Sequence, residues 1–139
     1  MTPEALAAIH SASFTIPRPW SAPEFRDLLA TPGAFLLTRN DAFLLGRVIA
    51  DEAELLTLAV APGARRAGLG RELAAEFAVT SRQNGAVSAF LEVAADNAPA
   101  RALYLGAGWQ EAGLRRRYYG PDLDGIVMRL ALASPQEGG

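Results

Sequence analysis

Two side chains and one loop carry the residue types from which chemistry could be built. Glu92 is a lone carboxylate in the apolar run 87–93, on the same face of its alternating pattern as Phe90. Desolvation by apolar neighbours would make such a carboxylate a stronger base. At a strand end it could equally face solvent or pair with an arginine. Tyr104 is the one polar group on a helical stripe shared with Ala100, Leu103 and Ala107. The pattern alone favours a core tyrosine whose hydroxyl finds a main-chain partner. The loop reads Arg65-Arg66-Ala67-Gly68-Leu69-Gly70-Arg71, between a buried strand that stops at Pro62 and a following helix. Unpaired amides and the positive dipole end at a helix start can hold a phosphate or diphosphate. Glycines at 68 and 70 would let the ligand approach the backbone, or they merely loosen the helix start.

Composition narrows the ligand. The 13 basic residues are all arginine, so a Walker loop, a kinase lysine–glutamate pair and a pyridoxal Schiff base are excluded. The dinucleotide fingerprint needs a small residue at position 73, where this chain has Leu73. With no cysteine, S-acyl intermediates, disulfides and thiolate metal sites are impossible, and with one histidine, His10, no multi-histidine metal site can form. No metal is expected. A net charge of −2 offers no electrostatic reason for nucleic acid or an acidic membrane as partner. No stretch approaches the roughly 18 apolar residues of a membrane span, and the start lacks a secretion-signal layout, so a cytoplasmic protein is expected.

The elements that must position these groups follow from periodicity. Residues 3–13 read as a helix. Ser21, with Pro23 and Glu24 behind it, has the spacing of a capping box for a second helix burying Phe25, Leu28 and Leu29. Three strand candidates follow at 34–38, 42–50 and 54–60, with a turn at Asn40-Asp41 and a bulge marked by Gly46. Their runs are too apolar for one-faced strands, so helices should cover both sides of the sheet. A helix over 68–84 places Leu69, Leu73 and Phe77 on one face, with Asn84-Gly85 as its stop. A strand at 87–93, a helix from about residue 97 to 107, and strands at 109–119 and 125–132 complete the order. The expectation is one α/β domain over 1–133, with a mixed, mostly antiparallel sheet flanked by helices and a flexible tail at 134–139.

Five stretches, in order and spacing, resemble the GNAT acetyltransferases, and among them the branch that acetylates the N-terminal amine of a ribosomal protein. They are Pro19-Trp20-Ser21, the strand 54–60 with the Arg65-x-x-Gly68-x-Gly70 loop, Leu91-Glu92-Val93 with Asn97, Ala102-Leu103-Tyr104, and Leu114-Arg115-Arg116-Arg117-Tyr118-Tyr119. The family usually opens with a strand that this chain lacks before its first helix. One sheet edge is therefore left bare or supplied by another subunit, as in a homodimer. Trp109 stands where the family generally has Phe.

The resemblance implies acetyl-CoA as co-substrate, Glu92 as general base and Tyr104 as general acid. It implies that Leu58, Ala59 and Val60 offer main-chain groups to the pantetheine arm, in a gap between their strand and the one carrying Glu92. Residues Arg65, Arg66, Ala67, Gly68, Leu69, Gly70 and Arg71 would surround the diphosphate. Asn97 matches a cofactor-contacting position, though it could simply cap a helix. Trp20, Tyr118 and Tyr119 match the acceptor side; Trp20 could instead be a packing plug, and the arginines at 115–117 a solvated strand edge. Freeing a neutral α-amine of pKa about 8 at pH 7 costs about 1.4 kcal/mol, against about 4.6 kcal/mol for a lysine, which tilts the acceptor towards a protein N-terminus. A small-molecule amine, or acetyl-CoA binding without turnover, are the alternatives.

Overall fold

The computed structural model describes residues 1–13, 20–64 and 68–132, excepting the side chains of residues 12, 13, 64 and 119. The chain opens with helix α1 (Pro3–Ser13), whose first turn is closed by Thr2 Oγ1 accepting from the Ala5 amide at 3.1 Å. Helix α2 (Ala22–Leu29) starts on the expected capping box, Ser21 and Glu24 satisfying each other's amides. Strands β1 (Ala34–Arg39), β2 (Ala42–Ile49) and β3 (Glu52–Val60) form an antiparallel meander, with Asn40-Asp41 as its first two-residue turn. Helix α3 (Leu69–Gln83) crosses to β4 (Ser88–Ala94), which runs parallel to β3. Helix α4 (Ala98–Gly106) leads to the hairpin of β5 (Gln110–Gly120) and β6 (Leu123–Ala131). The sheet order is β1-β2-β3-β4-β6-β5, so β1 and β5 are its edges. No strand precedes α1 among the described residues.

Both faces of the sheet are covered, which is why its strands are so apolar. Leu6 and Phe25 from α1 and α2 pack on Phe43, Leu45 and Ala59. Leu73, Phe77 and Tyr104 from α3 and α4 pack on Ala42, Leu44, Leu55, Leu91 and Met128. Side chains that alternate along β2 thus enter two different cores. Two readings from periodicity need correcting. Val87 lies just outside β4 and is exposed, and Ala107 is exposed beyond the end of α4, where the chain turns through Gly108. The tail at 134–139 lies outside the described residues. No helix among the described residues is long and apolar enough to cross a membrane.

The bulge anticipated at Gly46 is present, and it governs β3. Leu45 faces Thr57 while Gly46 faces Leu55, so Leu56 is an extra residue with no opposite number. Simple alternation would put Leu55, Thr57 and Ala59 on one face. The extra residue instead sends Thr57 and Ala59 to the α1–α2 side, and Leu58 and Val60 to the α3–α4 side.

His10 locks α1 over this irregularity, a role absent from the sequence reading. Its Nδ1 accepts the Trp20 amide at 2.9 Å, which makes Nε2 the protonated nitrogen that donates to Thr57 Oγ1 at 3.0 Å. The ring is buried among Trp20, Phe25 and Phe43. Burial lowers its pKa to about 4, the nearby Glu24 carboxylate opposing the shift in part. An unfolded chain with an ordinary histidine takes up a proton first, so this contribution is full above pH 6.5 and is lost as pH falls towards 4. Urea unfolding should register a loss of about 3 kcal/mol across that window, and a His10→Gln variant, weaker at pH 7, should lack that part of the slope.

Candidate active site

The central feature is a split in the sheet. The parallel ladder joins Glu52, Ala53 and Glu54 to Ser88, Ala89 and Phe90, and then stops. Both strands continue, β3 held by β2 as far as Val60 and β4 held by β6 as far as Ala94. The ladder ends where the bulge bends β3, so the two strands part along a gap bordered by Leu58, Ala59 and Val60 on one side and Leu91, Glu92 and Val93 on the other. Main-chain groups along parted parallel strands can pair with an extended ligand as a third strand would.

Glu92 and Tyr104 lie on opposite faces of the sheet. Phe90 and Glu92 project to the side of α1 and α2, away from Ala89, Leu91 and Val93, which enter the other core. Glu92 keeps 20% of its side chain exposed and forms an ion pair with Arg115 at 3.2 Å. That pairing is the arginine alternative raised by the sequence. The Tyr118 phenol lies beside Glu92 and is pushed up by burial first and then by that carboxylate.

Tyr104 is 6% exposed and lies in the α3–α4 core. Its ring stands 5.8 Å from that of Trp109, which is 6.0 Å from Phe77, and the Trp109 amide donates to the Tyr104 carbonyl at 3.0 Å. Trp109 thus forms the floor under the tyrosine. Burial alone pushes the phenol well above its ordinary pKa, so it holds its proton throughout the physiological range. Desolvation acts without any hydrogen bond to the hydroxyl, which is the reverse of a core tyrosine with a main-chain partner.

Helix α3 begins at the mouth of the gap. The Cβ that Gly70 lacks would stand 3.3 Å from the end of the Leu103 side chain and 3.7 Å from that of Leu58, so any larger residue presses α3 against α4 and β3. Gly68 differs. It caps the helix at φ 77, offers no side chain, and has nothing within 4 Å of an added Cβ. Its left-handed backbone by itself favours glycine at 68. The Glu72 amide bonds to the Gly68 carbonyl, leaving the amides of the first turn outside the helical ladder.

The remaining expected residues divide in three. Asn97 is a helix cap, its side chain accepting from Ala100 at 3.2 Å. Trp20 packs on His10 and Phe25, as a plug between α1 and α2. Arg65, Arg66, Ala67 and the Tyr119 side chain lie outside the described residues. A groove lined by Ser88, Gln110, Arg129 and Leu130 sits at the other end of β4 and includes none of these groups.

A split sheet with a helix start that no side chain caps, a carboxylate on one face and a protonated phenol on the other could serve acyl transfer. Comparison with known proteins agrees. The profile of the Acetyltransferase (GNAT) family matches residues 4–109. The [ribosomal protein bS18]-alanine N-acetyltransferase of Escherichia coli K12 is 41% identical over 104 residues, covering 73% of this chain and 70% of that one. N-alpha-acetyltransferase RimI of Mycobacterium tuberculosis is 36% identical over 122 residues, covering 81% and 75%. The crystal structure of the ribosomal-protein-S18-alanine N-acetyltransferase from Escherichia coli superposes with TM-score 0.85 at 34% identity, over 95% of this chain and 88% of that one. The chain belongs to the GNAT family of acetyltransferases and is an N-acetyltransferase.

Gly68→Ala should lower the unfolding free energy by roughly 1–2 kcal/mol, the strain of a left-handed alanine. Gly63→Ala, equally open but without the positive φ, is the control and should leave stability unchanged.

Proposed function

We propose that the protein transfers the acetyl group of acetyl-CoA to the N-terminal α-amine of a ribosomal protein, in the cytoplasm where that acceptor is made. The observation that carries this reading is the stopped β3–β4 ladder, with Glu92 and Tyr104 on opposite faces of the sheet. An amine arriving on the α1–α2 side meets the carboxylate, which takes its proton directly or through a water. On the far side, Tyr104 donates its proton to the sulfur as it leaves. With no cysteine in the chain, the amine attacks the thioester directly.

The residues present fit the co-substrate. Parted main-chain edges at Leu58, Ala59 and Val60 suit the pantetheine arm and polarise the carbonyl, and the amides from Gly68 to Arg71, with Arg65, Arg66 and Ala67, suit the diphosphate. Asn97 stands at the start of α4 beside the same opening. Acetyl-CoA supplies an activated acyl group; the protein supplies alignment and two proton transfers. Tyr118 would border the acceptor's path, and the family resemblance assigns Tyr119 and Trp20 to the acceptor side as well. The names of the similar enzymes support a ribosomal alanine as acceptor.

Incubation with acetyl-CoA and ribosomal-protein N-terminal peptides should add the mass of one acetyl group to a peptide beginning with alanine. Inert peptides with an acetylated small amine would overturn the acceptor, and no product on either would overturn turnover. Glu92→Gln should lower kcat by about 10²–10⁴ with acetyl-CoA binding intact. Tyr104→Phe should lower it by about 10², again with binding intact by calorimetry.

A further inference from the structure

Strand β5 departs from its partner in two places, and the second departure reaches Glu92. After a one-residue shift between Glu111 and Gly113, the ladder with β6 runs to Arg115–Gly125 and resumes only at Gly120–Leu123. Within the excursion Arg117 takes a left-handed backbone at φ 54, and its amide donates to Asp124 Oδ1 at 2.8 Å. Asp124 thereby holds a turn that arginine does not favour by itself. The turn carries Tyr118 back across β6, onto Gly125. A Cβ at position 125 would stand 3.1–3.4 Å from Tyr118 Cδ2, Cβ and Cγ, so the absence of a side chain there gives the ring its seat.

From that seat Tyr118 does two things. Its phenol lies beside Glu92, and its ring lies under the Arg115 guanidinium at 5.0 Å. Arg115 Nη1 in turn stands 3.2 Å from Glu92 Oε1 and 3.4 Å from Oε2. One carboxylate thus has beside it a cation from the last pair before the excursion and a phenol from the excursion itself. Arg115 is 54% exposed, and a pair this open adds little to stability. Its effect is orientation: the pair holds Glu92 in one rotamer.

We propose that Arg115 is a positioning residue for acetyl transfer, acting on the amine only through the orientation of Glu92. The inference rests on Glu92 being the base. It predicts a loss in kcat of about three- to tenfold, the size expected of an exposed ion pair, with no effect on co-substrate binding.

Steady-state kinetics with acetyl-CoA and the acceptor peptide test it in Arg115→Gln, Arg115→Lys, Glu92→Gln and the Glu92→Gln/Arg115→Gln double variant. Arg115→Gln should lose about three- to tenfold in kcat while the acetyl-CoA KM and Tm stay at their original values. Arg115→Lys should recover most of that loss, since the cation returns. In the Glu92→Gln background the second substitution should change nothing further. Unchanged kcat in Arg115→Gln would overturn the proposal, as would an equal loss with and without Glu92, which would place Arg115 on the acceptor itself. Undiminished turnover in Glu92→Gln is the separate failure, removing the base and its positioning residue together.

Discussion

The structure depends on one interruption: the parallel ladder between β3 and β4 that stops after three residue pairs. A sheet that loses a ladder in its middle leaves main-chain donors and acceptors without partners, which a buried core does not tolerate. It survives here because each half remains bound on its outer side, β3 to β2 and β4 to β6. The extra residue Leu56 supplies the bend, and the helices on both faces supply enough burial to offset the lost pairs. The gap is therefore part of the fold's own geometry rather than a flaw in it.

That same interruption bears on two polar groups that come from opposite faces of the sheet. Had the sheet been continuous, Glu92 on the α1–α2 face and Tyr104 on the α3–α4 face would be divided by a layer of backbone. With the strands parted, one group lying between them can be reached from both sides. The two faces also give the two groups opposite surroundings. Glu92 lies near solvent with Arg115 beside it, whereas Tyr104 is sealed over Trp109 and keeps its proton. Environment alone sets the two groups apart.

Much of this was legible in the chain. Ser21 with Glu24, Asn97 ahead of Pro99, Asn40-Asp41 and the apolar period of α3 are local signals, and each marks an element that forms where expected. Gly46 marked the bulge, yet the residue that is extra lies on the neighbouring strand, at Leu56. No local pattern could reveal that. His10 was passed over because an isolated histidine on a helix has no partner until Thr57 and Trp20 are brought to it, 47 and 10 residues away. Arg115 read as one of three solvated arginines for the same reason.

The sequence by itself determined the order of helices and strands, the two-sided burial of the sheet, the candidates Glu92 and Tyr104, and the helix start after Gly68. Those features rest on periods and neighbours within a few residues, which the chain carries whatever its tertiary fold. Tertiary structure alone decided the opening between β3 and β4, the opposed placement of carboxylate and phenol, and the partners of His10 and Glu92. Each of these depends on strand register across distant segments, and a shift of one residue in β3 turns every later side chain to the other core.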